Sequence, residues 1–128
     1  MVQLLNNASN TKKQGDIGLG YAIAYFAGAG YTVSIPLTDS QDYDLVVDNG
    51  TLQRVQVKTT KHKSVYGIYT VSLTIKGGNQ TFSTIKKFDP TKVDLIFILC
   101  DNEDKYLIPS NIIITSINLG KKYQKYKI

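Results

Sequence analysis

The chain has one cysteine, one histidine, one methionine, three prolines and no tryptophan in 128 residues. The lone Cys100 excludes an intramolecular disulfide and a cysteine zinc cluster, and suggests a buried thiol in a reducing, cytoplasmic compartment. The lone His62 excludes a multi-histidine zinc site and gives no independent support to a catalytic triad. No apolar run approaches the roughly 20 residues of a membrane-spanning helix. The first residues carry no charged segment followed by an apolar stretch and a cleavage site, so neither membrane insertion nor export is expected. The length favours one domain, 1–128, around one core.

What is abundant is lysine. Lys and Arg number fifteen against ten Asp and Glu, for a net charge of +5, and most of the positive charge is lysine. Such a surplus suits an anionic partner such as nucleic acid, although solubility alone explains as much in many proteins.

Residues 1–14 are rich in Asn, Gln and Lys and read as a loosely ordered arm or docking segment. From Gly15 the pattern becomes helical: Asp16 can cap a helix to about Ala27 whose apolar positions are Ile17, Leu19, Ile23 and Phe26. Gly18 and Gly20 lower its propensity, which suggests compensation by close approach of another backbone. Tyr31 to Ile35 is strand-prone. Tyr43 to Val47 and Leu52 to Lys58 form a hairpin closed by Asp48-Asn49-Gly50. Tyr66 to Ile75 alternates as one long strand, and Gly77-Gly78-Asn79 is a turn. Phe82 to Phe88 is compatible with a short helix or an irregular segment. Val93 to Leu99 reads as a strand buried on both faces. Tyr106 to Ile108 is a short strand, Ile112 to Ile117 a further apolar segment, and Lys121 to Ile128 a basic, tyrosine-interleaved tail. The expectation is an α/β fold with a mixed β-sheet, an N-terminal helix and few flanking helices.

The hairpin carries the chemistry. On a strand, residues two apart share a face, so Arg54, Gln56 and Lys58 face one way and Val55 and Val57 the other. Asp44 enters the opposite strand at the border of a core. A carboxylate, an amide oxygen and a nearby main-chain carbonyl can together hold a divalent cation. A lysine beside them can position a water or stabilise charge on a phosphate under attack. Outward charges on a valine-rich hairpin are the plainer alternative.

The segments Lys13-Gln14-Gly15-Asp16-Ile17-Gly18, Tyr31-Thr32-Val33-Ser34-Ile35-Pro36, Tyr43-Asp44-Leu45-Val46-Val47 and Arg54-Val55-Gln56-Val57-Lys58-Thr59 together resemble the PD-(D/E)XK nuclease superfamily. The resemblance is nearest to the branch of small cyanobacterial homing endonucleases encoded in group I introns. It implies a restriction-endonuclease-like core, with Asp44 as the first metal-binding carboxylate, Gln56 in the position of the second acid and Lys58 as the catalytic lysine. The Val57 carbonyl becomes an expected ligand. Magnesium is the implied cofactor, with manganese as a substitute. Replacing an acid by Gln56 removes a negative charge and should weaken a second metal ion. The helix of this superfamily often supplies another acid; Leu19 stands where many relatives have Glu, which leaves Asp16 as helper or as helix cap.

Lys61, His62 and Lys63 follow the proposed catalytic strand, and Lys12 and Lys13 precede Asp16. These would hold phosphates, as would Arg54 and Thr59 at the site's margin. Lys76 and Asn79 lie where a polar turn could enter a groove. The function this implies is a magnesium-dependent DNA endonuclease, possible homing specificity included, on double-stranded or branched DNA. A Holliday-junction or branched-DNA resolvase and a non-catalytic nucleic-acid-binding module are the alternatives. One site cuts one strand, so a homodimer or homotetramer is expected.

Overall fold

The computed structural model describes residues 3–73, 75–77, 84–113 and 115–128, with 75–77 and 84–86 described through their backbone alone. Helix α1 (Thr11–Gly28) is followed by strands β1 (Thr32–Ser34), β2 (Leu45–Asp48), β3 (Leu52–Thr60), β4 (Thr70–Ser72), β5 (Ile75–Gly77), β6 (Thr84–Lys86), β7 (Leu95–Cys100), β8 (Lys105–Pro109) and β9 (Ser116–Asn118). The central sheet runs β1-β2-β3-β7-β8. Its pairs are antiparallel except β3 with β7, which are parallel. A parallel pair needs a crossover, and the chain between these strands contains β4, β5 and β6. The architecture is the expected α/β one, with a mixed sheet.

The two faces of β7 explain its unbroken apolar sequence. Phe97 and Leu99 pack with Ala22 and Phe26 of α1 and with Leu45, Val47 and Val55 of the hairpin. Ile96, Ile98 and Cys100 pack on the opposite face with Val71, Ile117 and Tyr123. Alternate side chains thus enter two different cores, and every position after Leu95 is buried.

The hairpin lies where the sequence predicts it, with Leu45 opposite Val55 and Asp48 opposite Leu52. The N-terminal segment does not. Asn10, not Asp16, caps α1, its Oδ1 accepting from the Lys13 N–H at 2.9 Å, so the helix begins five residues earlier than predicted. Asparagine is among the strongest caps, and Lys12, Lys13 and Gln14 are good helix formers. Of the two readings of the chain's start, a loose arm or a docking segment, the residues before α1 follow the second. Leu5 is fully buried, and the N–H groups of Leu4 and Leu5 donate to the Asp101 carbonyl (2.8 Å) and Oδ1 (2.7 Å).

Gly18 is closely approached by side chains of β3 and not by another backbone. A Cβ there would lie 2.5 Å from Thr59 Cγ2 and 3.3 Å from Val57 Cγ1, so only hydrogen lets α1 settle on β3. Gly20 has no such neighbour within 4 Å.

The predicted strand from Tyr66 to Ile75 is divided. A turn occupies Ser64 to Gly67, β4 pairs with β9, and β5 pairs with β6. Gly77 belongs to β5, while Gly78 and Asn79 lie outside the described residues. The C-terminal tail is a 3-10 helix over Lys121–Tyr126 with Tyr123 buried on the second core. Its end bridges Lys127 to Tyr106 of β8.

Candidate active site

Strand β2 begins only at Leu45, opposite Val55, while β3 runs on to Thr60, so the last residues of β3 have no β2 partner. Asp44 fills the resulting notch. Its own N–H donates to the Val55 carbonyl at 2.8 Å, and its Oδ2 accepts from the Val57 N–H at 2.7 Å. A carboxylate therefore takes the place of the missing strand at Val57. In an extended strand one residue's N–H and C=O point to the same side, so the Val57 carbonyl projects toward the Asp44 side as well. The Val57 side chain packs against the α1-side core.

Lys58 is the next residue, half-buried. Burial lowers its pKa, and the negative charge of Asp44 opposes that shift. Asp44 is open to solvent on one side and crowded by the protein on the other; burial raises its pKa, while the Val57 N–H and the Lys58 charge pull it down. Each charge is thus disfavoured by its surroundings and supported by the other.

Gln56 is only 6 % exposed. Its Nε2 donates to the Asp42 carbonyl at 3.2 Å. Its Oε1 is the one buried side-chain polar atom among the described residues without a hydrogen-bond partner. It shares a narrow pocket with Leu73, Phe88 and Val93. A buried acceptor left unpaired is costly unless some other group satisfies it. Asp44 carboxylate, Val57 carbonyl and Gln56 amide oxygen are all hard donors of the kind a magnesium-type cation takes. Among the described residues no three His, Cys, Asp or Glu side chains form a metal-holding cluster. Gln56 lines a different pocket from the one that Asp44 and Val57 share.

Asp44 also opens onto a cleft of about 580 Å³, lined further by Lys12, Asp16, Leu19, Asp39 and Val57. Asp16 and Leu19 are three apart on α1 and so share its face. Asp16 is exposed in the cleft, within the helix, and the cap reading is corrected by the earlier start at Asn10.

The remaining sequence-predicted residues separate. Lys12 lines the cleft and Lys13 is exposed beside it. Lys61, His62 and Lys63 are exposed just beyond β3. The Arg54 side chain is committed to Asp94, with Nε 3.0 Å from Oδ2, and donates to the Thr91 carbonyl at 3.0 Å. Thr59 turns toward α1, where its Oγ1 accepts from Gln14 Nε2 at 2.8 Å. Lys76 has its backbone in β5, and Asn79 lies outside the described residues. Gln14 was absent from the predicted site although it anchors the helix beside it. Its place four residues before Gly18, on the same helical face, is the signal that finds it.

A family model for PD-(D/E)XK endonucleases matches residues 9–126, nearly the whole chain. The chain belongs to the PD-(D/E)XK endonuclease family. Among solved structures, the bacterial homing endonuclease I-Ssp6803I is similar, with a TM-score of 0.78 and 27% identity over 91% of this chain and 82% of that one. No curated protein matches the chain. The sheet and helix of this nuclease accordingly have the restriction-endonuclease-like arrangement. Among its described residues, no helix is long and apolar enough to cross a membrane.

Proposed function

We propose that this nuclease hydrolyses phosphodiester bonds in double-stranded DNA, with magnesium as cofactor and manganese as a working substitute. The observation that carries the reading is the notch in which Val57 N–H fixes the Asp44 carboxylate beside a half-buried Lys58. Asp44, the Val57 carbonyl and Gln56 Oε1 would hold the ion. When bound, the ion supplies charge neutralisation at the phosphate and lowers the pKa of a water.

The chain's own residues do the rest. Lys58 is partly desolvated, so its ammonium acts with less dielectric screening on a phosphoryl oxygen that gains charge. Its lowered pKa also eases proton exchange with an attacking water. Asp16, on the cleft wall, serves to orient that water. Lys12, Lys13, Lys61, His62 and Lys63 hold flanking phosphates. Similarity to a homing endonuclease favours site-specific cutting and an assembly of two or four copies, since one site cuts one strand.

The test is a panel of linear and branched DNAs, with and without magnesium, cut by the native protein and by Asp44→Asn and Lys58→Ala. Metal-dependent cutting of linear duplex by the native protein alone supports the reading. Preference for four-way junctions would move it to a resolvase, and binding without cleavage to a non-catalytic module.

A further inference from the structure

Beyond β3 the chain turns back on itself in a hydrogen-bonded loop with an exposed tip. The Thr70 N–H donates to the His62 carbonyl at 3.0 Å, and Lys63 bridges Tyr69 in antiparallel fashion. At the tip, the Ser64 N–H donates to Ile68 O at 2.8 Å and the Gly67 N–H to Ser64 O at 3.0 Å. Ser64 Oγ also accepts from the Tyr66 N–H at 3.2 Å and the Ile68 N–H at 3.4 Å. Gly67 has φ +75°, the left-handed region that favours glycine. The root is pinned as well, with Thr60 Oγ1 donating to the Thr70 carbonyl at 2.6 Å.

The two central residues of this turn are Val65 and Tyr66, 95 % and 85 % exposed. Turn centres are normally Gly, Pro, Asn, Asp or Ser, and an apolar pair held in water by so many hydrogen bonds gains nothing for the fold. The adjoining Lys61, His62 and Lys63 are all exposed. The combination is an apolar tip on a cationic stalk. Proteins that unstack a base step use that combination: cations hold the phosphates while an apolar side chain enters between bases.

Resting on the nuclease reading above, we propose that Val65 and Tyr66 form a wedge that enters duplex DNA and unstacks one base step beside the cut. At about 3.3 Å per strand residue the tip lies at most roughly 25 Å from Lys58. That places the distorted step within about eight base pairs of the scissile phosphate, at 3.4 Å per step. The wedge favours DNA in which unstacking is already partly made.

The test uses Lys58→Ala protein with magnesium, so that binding is read without turnover. Its affinity is compared for a 30-bp duplex and for the same duplex carrying one unpaired adenine, by fluorescence anisotropy over a range of salt. The unpaired base should tighten binding about 10-fold. Adding Val65→Ser with Tyr66→Ser should abolish that preference, leave the salt slope unchanged and leave the melting temperature in place. Lys61→Ala with Lys63→Ala should instead flatten the salt slope by about two. An equal preference with and without the wedge residues overturns the proposal. So does a change of oligomeric state on replacing them in DNA-free protein, since the tip would then bind a second copy. If native protein cuts no DNA while the wedge preference holds, the nuclease reading fails and the wedge survives.

Discussion

Replacing Gly18 by alanine tests how the helix is seated on the catalytic strand. An alanine Cβ would meet Thr59 Cγ2 at 2.5 Å, against an ordinary carbon contact of about 3.5–4.0 Å, so roughly 1 Å of separation must be recovered. Thr59 cannot easily rotate away, because its Oγ1 accepts from Gln14 Nε2 at 2.8 Å and it is β-branched. Overpacking of this kind costs about 1–3 kcal/mol. Alanine returns about 1 kcal/mol of helix propensity. The net expectation is about 1 kcal/mol of destabilisation, or about 3–5 °C in Tm for a chain of this size. Thr59→Ser removes the obstructing methyl and keeps the hydroxyl for Gln14. In that background Gly18→Ala should be neutral or stabilising, giving a coupling of about 1–2 kcal/mol. Thermal and urea unfolding of the four proteins measure it. Equal effects of Gly18→Ala in both backgrounds would refute the seating argument.

Three further outcomes follow from the site's electrostatics. The Asp44 pKa is raised in the folded chain, so its protonation favours folding and that contribution is lost as pH rises through the folded pKa. In metal-free buffer, Asp44→Asn should therefore gain in Tm on the native protein between about pH 4 and neutrality, as differential scanning calorimetry would show; a difference independent of pH sinks the argument. The Lys58 pKa is lowered, so its charged form opposes folding at neutral pH. Lys58→Met should unfold at or above the native Tm while losing about 10²–10³-fold in turnover, and a lower Tm would show that the ammonium supports the fold. Asp94 has its pKa lowered by Arg54, a contribution present above the unfolded carboxyl pKa and lost as pH falls through the folded one. The pair is more than a third exposed, so Arg54→Ala should cost under about 1 kcal/mol at pH 7 and less at pH 2, without changing the salt slope of DNA binding. A lowered slope would mean that Arg54 leaves Asp94 for a phosphate.

What could be read directly from the residues was local. Asn49-Gly50 closes the hairpin, alternation sets the faces of Val55, Gln56, Val57 and Lys58, and the run Val93 to Leu99 gives the doubly covered strand, which spans Leu95–Cys100. What escaped depended on distant partners. Leu5 joins a core only because Asp101 captures the backbone before α1, and the division of residues 66–75 follows from the pairing of β4 with β9, over forty positions on. The helix start was legible at Asn10, but Gly15, Gly18 and Gly20 obscure the pattern there. Parity predicts that Gln56 and Lys58 share a face; it does not show that Gln56 is buried with an unpaired oxygen, nor that Arg54 is taken by Asp94. Thr59 illustrates the same limit, since its hydroxyl serves the helix and not the cleft.

Whether Asp44 and Lys58 form a metal-assisted hydrolytic site is decided by a magnesium titration of duplex DNA cleavage. No cutting is expected without metal, saturable cutting by the native protein with magnesium or manganese, and none by Asp44→Asn that folds and binds DNA normally. Cutting by Asp44→Asn at the native rate, or no cutting by the native protein at any metal concentration, would contradict it.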